Sequence, residues 1–489
     1  MKRILLITPP YHAGVVESAG RWPPLGLLYL AGALQQAGHK VTVYDAMTLE
    51  HDLQQIASRI REGKPDIVGT TAYTSSYYAA VDVLKAAKKI NPAIVTVIGG
   101  VHPTFCYEDA LTGYPGVIDF VVRGEGDETV VDLVNSLEEG RDPERLAGVK
   151  GLAYLQDGAV ITTEPKPFLN SLDNLQPAWD LVDWKEYYLY FVPSSRVATV
   201  SSSRGCINEC GFCSQQKFWH KTHRERSPAD FLAEIDKLYH DYGVNVFLLT
   251  DEYPTRSRQR WEQILDGLID RNYAAHFLIE TCVGDIVRDT DIMGKYKAAG
   301  ILHVYVGVEA TRQERLDLFK KDIRCEQSRE AIRLINDGGM ISECSFILGV
   351  PEETEASIKD TLELATYYNP HYAHFLMLAP WPYADMYEQL APYIEVRDFS
   401  RYNLVEPVIK PIAMTREELF KQVINCYRQF YMKKLPQWAA IPDSLRRDYL
   451  IRSMKEMLQR SFLKKYGHGL GRIPSQVEEY LKVGSAPGD

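Results

Sequence analysis

Residues 204–213 read Arg204-Gly205-Cys206-Ile207-Asn208-Glu209-Cys210-Gly211-Phe212-Cys213 and follow directly on a strand-like run, Ala198–Ser202. The three cysteines have the spacing C-x3-C-x2-C. Three thiolates in one loop can bind three irons of a cubane cluster, and the fourth iron then stays open, because such clusters normally have four cysteines. Zinc is an alternative, with His220 or His223 completing a Cys3His site. Three unrelated thiols are a further alternative, although their position at a strand end favours a metal centre.

The composition of the whole chain limits what surrounds this loop. The 489 residues include 55 basic and 65 acidic side chains and carry a formal charge of −10, so no basic surface for nucleic acid is expected. The eight cysteines are too sparse for a disulfide scaffold and indicate a reducing, cytoplasmic setting. The apolar start at Ile4–Thr8 ends at Pro9-Pro10, which excludes a signal peptide, and no run reaches the ~18 apolar residues of a transmembrane helix.

Six strand-like segments separated by helical ones run from residue 196 to 390, beginning with the strand before the cysteines. They are Ala198–Ser202, Val246–Thr250, Ala275–Glu280, His303–Val308, Ser345–Gly349 and Ala373–Leu378. Six units predict a partial (β/α)6 barrel rather than a closed eightfold one. The active sites of such barrels lie at the carboxyl ends of the strands, so motifs at those ends are the strongest candidates for catalytic or binding residues.

An earlier strand–helix series occupies residues 1–140. Its strands are predicted at Ile4–Thr8, Lys40–Tyr44, Asp66–Thr70, Ile94–Ile98 and Phe120–Val122, with helices such as Gly26–Ala37 and Tyr78–Ile90 between them. This alternation predicts a doubly wound, flavodoxin-like parallel sheet that binds its ligand at the carboxyl ends of its strands. Residues 141–195 read as a linker with a small β element, and 391–489 as a helical C-terminal region. The fold class is α/β.

The cysteine loop, with an aromatic residue before its last cysteine, resembles the radical S-adenosylmethionine (SAM) enzymes. Other strand-end motifs agree in order: Asp251-Glu252, Gly307-Val308-Glu309 and Gly349-Val350-Pro351-Glu352-Glu353-Thr354. The resemblance implies that a 4Fe–4S cluster is held by Cys206, Cys210 and Cys213. It also implies SAM contacts from five residues, which are Phe212, Asp251, Glu252, Glu309 and Gly349.

One position departs from this pattern. Many relatives have an arginine after the third strand that pairs with the SAM carboxylate, whereas this chain has Thr281-Cys282-Val283. A thiol cannot make a bidentate ion pair. We therefore expect either another basic residue or a different position of SAM.

The loops of the first domain are rich in glycine and hydroxyl groups. No Gly-x-Gly-x-x-Gly follows the first strand, which disfavours a nicotinamide cofactor. With Trp22-Pro23-Pro24-Leu25-Gly26-Leu27, the loops resemble the cobalamin-binding domain of cobalamin-dependent radical SAM enzymes. No Asp-x-His-x-x-Gly is present, which implies cobalamin without a histidine ligand; a degenerate structural domain is the alternative. The implied cobalamin contacts are Thr71, Thr74, Ser75, Gly99, Gly100, His102, Gly124 and Glu125.

Within that family the chain resembles one branch, the anaerobic magnesium-protoporphyrin IX monomethyl ester oxidative cyclases. The matching stretches are Ala19–Pro24, Cys213–Trp219, Pro380–Asp385, Met414–Leu419 and Tyr427–Met432. The resemblance implies a radical SAM oxidoreductase that closes the fifth ring of chlorophyll pigments without oxygen. It also implies a magnesium-porphyrin substrate and an external electron donor such as ferredoxin or flavodoxin.

Substrate and proton-transfer residues are predicted with their alternatives open. An aromatic pocket of Trp219, Phe375, Trp381 and Tyr383 would stack on a tetrapyrrole, although core packing explains each ring equally well. His12, Lys217 and His220 are candidates for proton transfer, with surface or structural roles as the alternative. A cobalamin-dependent radical SAM methyltransferase would carry nearly the same motifs, and a non-catalytic sensor is a third possibility. Product mass separates the two reactions, because methylation adds a carbon and cyclisation does not.

Overall fold

The computed structural model describes residues 1–15, 18–138, 140 and 142–465. In those ranges no helix combines the length and the apolar character that crossing a bilayer requires. The end of the predicted helical region, residues 466–489, lies outside the described residues.

The first domain is built on a seven-stranded sheet. Its strands are β1 (Arg3–Ile7), β2 (Lys40–Tyr44), β3 (Ile67–Thr71), β4 (Val95–Gly99), β5 (Phe120–Val122), β6 (Leu152–Gln156) and β7 (Ala159–Thr162), in the order β2-β1-β3-β4-β5-β6-β7. The first five are parallel, and the 2-1-3-4-5 order is that of flavodoxin-like sheets. The predicted doubly wound sheet is confirmed.

Helices cover both faces of this sheet. They are α1 (Leu25–Gln36), α2 (Leu53–Gly63), α3 (Tyr77–Ile90), α4 (Val101–Phe105), α5 (Tyr107–Gly113), α6 (Asp127–Ser136) and α7 (Pro143–Gly148). Leu5 and Ile7 of β1 belong to one buried cluster, and Ile4 and Leu6 belong to another. Side chains alternate along a strand, so a run of apolar residues marks a strand buried on both faces.

The hairpin β6–β7 lies in the segment predicted as a linker, yet it extends the first sheet. β6 pairs antiparallel with β5, and Val121 lies opposite Ala153. The sequence showed the turn at Asp157-Gly158 but not which sheet the hairpin would join, because pairing between distant strands leaves no local pattern.

The second domain contains six parallel strands in the order β15-β14-β13-β12-β11-β8. They are β8 (Val197–Val200), β11 (Val246–Leu249), β12 (His276–Thr281), β13 (Ile301–Glu309), β14 (Ile341–Leu348) and β15 (Tyr372–Met377); β9 (Ser203–Arg204) and β10 (Arg224–Glu225) form a separate antiparallel pair. The predicted partial (β/α)6 barrel is confirmed. β14 begins four residues before the predicted Ser345, because Ser342-Glu343-Cys344 interrupts the apolar pattern.

The barrel helices lie between and after these strands. They are α8 (Gln215–Phe218), α9 (Pro228–Tyr242), α10 (Arg258–Arg271), α11 (Val283–Arg288), α12 (Met293–Ala298), α13 (Gln313–Leu318), α14 (Cys325–Asp337), α15 (Glu355–Tyr368) and α16 (Tyr387–Leu390). Phe277 and Ile279 of β12 are buried in the cluster that these helices share with the sheet. The alternate residues Leu278 and Glu280 therefore point to the opposite, concave face, which we call the lumen.

Three helices complete the described chain: α17 (Arg416–Ala439), α18 (Ser444–Arg460) and α19 (Phe462–Lys465). Helix α17 covers the edge strand β15. The Tyr427 hydroxyl accepts a 3.0 Å hydrogen bond from the Phe375 N–H, and the Tyr431 hydroxyl donates to the Ala373 carbonyl over 3.1 Å. These bonds satisfy backbone groups that an edge strand would otherwise expose.

Candidate active site

The cysteine loop leaves the sheet through a glycine that no other residue can replace without distortion. Gly205 has a φ of +100°, and a Cβ there would lie 2.2 Å from the Thr222 carbonyl oxygen. Its N–H donates a 3.1 Å hydrogen bond to Glu252. The loop that follows carries Cys206, Cys210 and Cys213, and burial raises the pKa of the Cys206 and Cys213 thiols to about 11.

The two carboxylates after β11 hold this loop in place. Asp251 is buried and accepts hydrogen bonds from the N–H and hydroxyl of Ser202 and from the hydroxyl of Ser203, at 2.6–3.0 Å. Glu252 accepts from Gly205 and, over 2.9 Å, from the Trp219 indole N–H. Asp251 was predicted as a SAM contact; in the structure it is buried and its carboxylate accepts from Ser202 and Ser203, which shapes the strand-to-loop turn.

Glu309 and Lys321 form an ion pair close to the cysteines. Their Oε1 and Nζ atoms are 3.0 Å apart, and the second oxygen of Glu309 accepts a 3.1 Å hydrogen bond from Ser345. Burial disfavours the Lys321 ammonium, yet the charges of Glu309, Cys210 and Cys282 hold its pKa above the usual value. Lys321 is thus a positively charged side chain near Cys282, the position where the sequence lacks the expected arginine.

Gly349 and Phe212 lie near the same rim. Gly349 has a φ of +88°, and its N–H donates a 2.9 Å hydrogen bond to Glu353, which pairs with Arg315. Phe212 packs edge-on against Phe319, with their ring centroids 5.3 Å apart. Gly349 ends the fifth barrel strand and Phe212 lies within the cysteine loop, and their assignment to SAM stays a prediction.

The zinc alternative finds no support in the geometry. The His223 side chain is buried and its Nε2–H donates to the Tyr253 carbonyl over 2.9 Å, while His220 is exposed and packs against Phe168. Among the residues that the structure describes, no group of three or more His, Cys, Asp or Glu side chains is assembled at metal-binding distances, the three loop cysteines included. The cysteines share one loop without a histidine that could complete a Cys3His site.

The cobalamin loops meet at the carboxyl edge of β3, β4 and β5. Thr71 and Gly99 pair across neighbouring strands, and Gly100 has a φ of +97° with no room for a Cβ beside Thr71 and Ala72. Gly124 also has a positive φ, and its N–H donates to Thr104 over 3.0 Å. Ser75 is half-buried in the loop after β3. We call this edge of the sheet the cobalamin cradle. It contains the predicted residues other than Glu125, Thr74 and His102, namely Thr71, Ser75, Gly99, Gly100 and Gly124.

Thr74 and His102 instead connect the two domains. The Thr74 hydroxyl shares a 2.8 Å hydrogen bond with the Tyr383 hydroxyl, and His102 Nδ1 lies 3.1 Å from the Thr74 hydroxyl. The His102 ring packs against Tyr77 and Phe399, and burial lowers its pKa to about 4. The His102 imidazole is therefore held neutral between residues of both domains.

Glu125, predicted to contact cobalamin, is an interdomain ion-pair residue. It accepts hydrogen bonds from Arg204 at 2.6 Å and from Arg224 at 2.9 Å, and Arg204 also pairs with Asp127. Burial favours the neutral acid, but the Arg224 hydrogen bond and the Arg204 charge hold its pKa below the usual value. Both oxygens are therefore occupied by arginines from the barrel domain.

The predicted substrate aromatics separate into two groups. Phe375 is 1% exposed and packs in the core against Phe346, Tyr427 and Phe430, so it cannot stack on a ligand. Tyr383 lies at the domain junction, where it stacks on Phe105 at 4.8 Å, whereas Trp219 donates its indole N–H to Glu252 and packs against Phe168. Trp381 is partly buried against the barrel core.

The predicted proton-transfer residues lie away from the lumen. Lys217 pairs with Asp385 at 2.9 Å on the rim, and His220 is exposed. His12 is exposed over β1 and β2 in a separate cavity of about 750 Å³. None of the barrel strands lines that cavity. The structure therefore does not bring these three side chains together.

Two polar residues near the site have no motif that reveals them. Lys321 follows an irregular turn after α13, and Glu280 is one acidic residue inside a strand. The signal for Glu280 was the charge itself, because a carboxylate in an otherwise apolar barrel strand must point into a polar space.

Comparisons with known proteins agree with this geometry. Residues 11–134 match the family model for the B12 binding domain, and residues 200–365 match that for the Radical SAM superfamily. The anaerobic magnesium-protoporphyrin IX monomethyl ester cyclase of Rubrivivax gelatinosus is 40% identical over 96% of this chain and 85% of its own. An uncharacterised methyltransferase of Pyrococcus horikoshii is 32% identical over 88% of this chain and 93% of its own.

Among solved structures, a radical SAM methyltransferase from Kitasatospora setae with cobalamin and a 4Fe–4S cluster bound has the same fold. The TM-score is 0.68 at 17% identity, and the match covers 88% of this chain and 89% of that one.

Proposed function

Because the chain belongs to the cobalamin-dependent radical SAM enzymes, we propose that it catalyses the oxygen-independent oxidative cyclisation of magnesium-protoporphyrin IX monomethyl ester. The observation that carries the proposal is the 40% identity to a cyclase over nearly the full length of both chains. The cofactors are cobalamin in the first domain and a 4Fe–4S cluster with SAM in the second. Together they supply a 5′-deoxyadenosyl radical and a one-electron redox partner when bound.

The donor set fits the cluster. Cys206, Cys210 and Cys213 lie on one loop whose entry is fixed by Gly205 and Glu252. No carboxylate is hydrogen-bonded to these thiols within the described chain; the Gln215 N–H is 3.5 Å from the Cys213 sulfur. N–H donors of that kind suit thiolate sulfurs bound to iron.

Lys321 and Glu309 are the residues we assign to the polar end of SAM. Glu309 presents oxygens that accept charge-assisted hydrogen bonds from an ammonium group, and Lys321 offers an ammonium to a carboxylate. Lys321 would thereby replace the arginine missing at Cys282. The Asn208 amide donates to the Cys282 sulfur over 3.5 Å, so Cys282 borders the same space.

The substrate would lie in the lumen beneath this site, with the cobalamin cradle facing it. Leu248, Leu278, Ile347 and Leu376 are half-exposed on the concave side of the sheet. Tyr73, in the loop after β3, is 66% exposed and is available to contact a ligand. An apolar wall with aromatic residues above it suits a planar tetrapyrrole.

An external one-electron donor, such as ferredoxin or flavodoxin, would reduce the cluster. A methyltransferase remains the second candidate, since the Pyrococcus relative carries that name at 32% identity.

The experiment is anaerobic incubation of the reduced, cofactor-loaded enzyme with SAM and the magnesium-porphyrin ester. A product that has gained one oxygen and no carbon, with the absorption change of an added ring, supports cyclisation. A product that has gained one carbon and no oxygen establishes the methyltransferase instead. The absence of any porphyrin product, with 5′-deoxyadenosine formed, contradicts both.

A further inference from the structure

Glu280 is a carboxylate in the lumen without a protein partner. It lies on β12 between Ile279 and Thr281, which are buried on the helical side, and its own side chain is exposed on the concave side. Within the described residues its carboxylate has no hydrogen bond and no ion pair, whereas Glu252, Glu309 and Glu343 all have partners.

A row of polar side chains crosses the sheet at the level of Glu280. Glu280 pairs in register with Tyr305 on β13, and Tyr305 pairs with Glu343 on β14. The Tyr305 hydroxyl is 2.6 Å from the Ser345 hydroxyl, which donates to Glu309 over 3.1 Å. Hydrogen bonds therefore run from the level of Glu280 up to the residues assigned to SAM.

Glu343 differs from Glu280 in having partners. His303 Nε2 lies 2.8 Å from one of its oxygens, and His374 contacts the other. Against the effect of burial, these imidazoles hold the pKa of Glu343 below its usual value. Of these two lumen acids, Glu280 is the one with both oxygens available.

Glu280 also lies close to where the radical would form. It precedes Cys282 by two residues on the same face of an extended strand, a separation of about 7 Å. Cys282 in turn contacts Asn208 of the cysteine loop. A substrate atom placed between the SAM site and the lumen floor would thus lie within reach of Glu280.

We propose that Glu280 is the catalytic base that takes a proton from the water molecule whose oxygen enters the substrate. This inference rests on the proposed cyclase function. By this stage the substrate carbon would have lost a hydrogen atom to the 5′-deoxyadenosyl radical and one electron to cobalamin, which this proposal takes as the oxidant. The water oxygen then forms the C–O bond, one O–H bond breaks, and the proton moves to the Glu280 carboxylate, which becomes a neutral acid.

The electrostatic surroundings suit this task. Although the Glu280 side chain faces the open space of the lumen, the protein walls around it desolvate the carboxylate, and this effect, followed by the charges of Glu343, Glu252 and Asp251, raises the pKa of Glu280 to about 7. Tyr305 lies between Glu280 and Glu343 in the row, and burial raises its pKa well above the usual value, so it stays neutral, while Glu343 is paired with His303 and His374. A base whose pKa lies near the working pH both binds and releases protons efficiently.

The test compares the wild-type enzyme with Glu280→Gln and Glu280→Asp in the holoenzyme. Glu363→Gln is the matched control, because Glu363 is exposed on α15 outside the barrel. Three quantities are measured anaerobically: porphyrin affinity by absorbance titration, 5′-deoxyadenosine formed, and oxygenated product formed. Affinity is measured for both the magnesium porphyrin ester and its metal-free form.

We expect Glu280→Gln to bind both porphyrins within about threefold of wild type and to form 5′-deoxyadenosine, while oxygenated product falls by about 100-fold or more. Glu280→Asp should retain part of the activity, and Glu363→Gln all of it. Wild-type product formation should rise with pH through about 7, as the carboxylate loses its proton, and Glu280→Gln should lack that rise.

Four results would overturn the inference, each for a different reason. Undiminished product from Glu280→Gln would show that no base is needed there. Weaker binding of the magnesium porphyrin alone would make Glu280 a ligand of the substrate's metal, and weaker binding of both porphyrins would make its role structural. A wild-type enzyme that yields 5′-deoxyadenosine without any oxygenated porphyrin would contradict the proposed function itself, and the role of Glu280 with it.

Discussion

At the scale of single residues, we propose that Lys321 supplies the positive charge for the SAM carboxylate that an arginine at position 282 would provide in many relatives. We expect Lys321→Met to weaken SAM binding roughly 10- to 100-fold, because a charge-assisted hydrogen bond contributes about 1.5–3 kcal/mol. The variant also leaves Glu309 without its cation. Equilibrium binding of SAM to the cluster-loaded enzyme measures the effect.

Lys320→Met is the control for that prediction, because Lys320 is the neighbouring lysine in the sequence. Its side chain is 60% exposed, and its Nζ makes only a loose ion pair with Asp385, 3.8 Å away. Lys321→Arg should restore part of the affinity. Equal SAM affinity in Lys321→Met and Lys320→Met would rule out a role for Lys321 at the carboxylate.

The sequence predicted individual residues well where a motif fixes both type and place. The cysteine loop, Gly349 and Glu309 were all found at the ends of the strands where they were expected. Lys321 was not found, since it follows a helix and only the folded chain brings it beside Glu309 and Cys282. Phe375 was misassigned for a related reason, because an aromatic residue in a strand looks the same whether it faces a ligand or the core.

At the scale of elements, helix α17 closes the edge of the barrel sheet. We expect Tyr427→Phe to lower the free energy of unfolding by about 1–3 kcal/mol, because the Phe375 N–H loses its acceptor in a buried setting. Thermal and denaturant unfolding measure the change, with Tyr367→Phe as the control at a position that is 57% exposed.

If Tyr427→Phe and Tyr367→Phe unfold identically, the edge strand does not depend on α17 as described. Sequence reasoning predicted a helical, aromatic C-terminal region but gave no function for its tyrosines. Their role follows from pairing between a helix and a strand some 50 residues apart, as in the 52-residue separation of Phe375 and Tyr427.

At the scale of the whole molecule, Glu125 joins the cobalamin domain to the barrel through Arg204 and Arg224. We expect Glu125→Gln to lower the midpoint of thermal unfolding while cobalamin affinity stays within about threefold, since the carboxylate binds arginines rather than the cofactor. The cost should be about 1–3 kcal/mol, because Arg204 keeps Asp127 as a partner.

The same ion pairs predict a pH dependence with a definite sign. The pKa of Glu125 is lower in the folded protein than its usual value of 4.5, so its contribution is present above that pH and is lost as the pH falls below it. Glu125→Gln should therefore flatten the acid side of the stability profile. If Glu125→Gln instead lost much of its cobalamin affinity without losing stability, Glu125 would be a cofactor contact and not an interdomain ion-pair residue.

The two sheets themselves were predictable because their strands are apolar runs separated by amphipathic helices. How the domains dock was not predictable. Glu125 and Thr74 lie in loops and His102 lies in the short helix α4, and their partners Arg204, Tyr383 and Phe399 are 79 or more residues away in the sequence. These residues looked like cofactor contacts because they stand at the correct strand ends.

The most direct test of the central claim is the origin of the oxygen in the product. The reduced holoenzyme, SAM and the magnesium-porphyrin ester are incubated without dioxygen in water enriched in oxygen-18, and the porphyrin is analysed by mass spectrometry. The account predicts a ring-closed product whose new oxygen carries the label, and its formation should depend on Glu280. A product that has gained a methyl group and no labelled oxygen would contradict it.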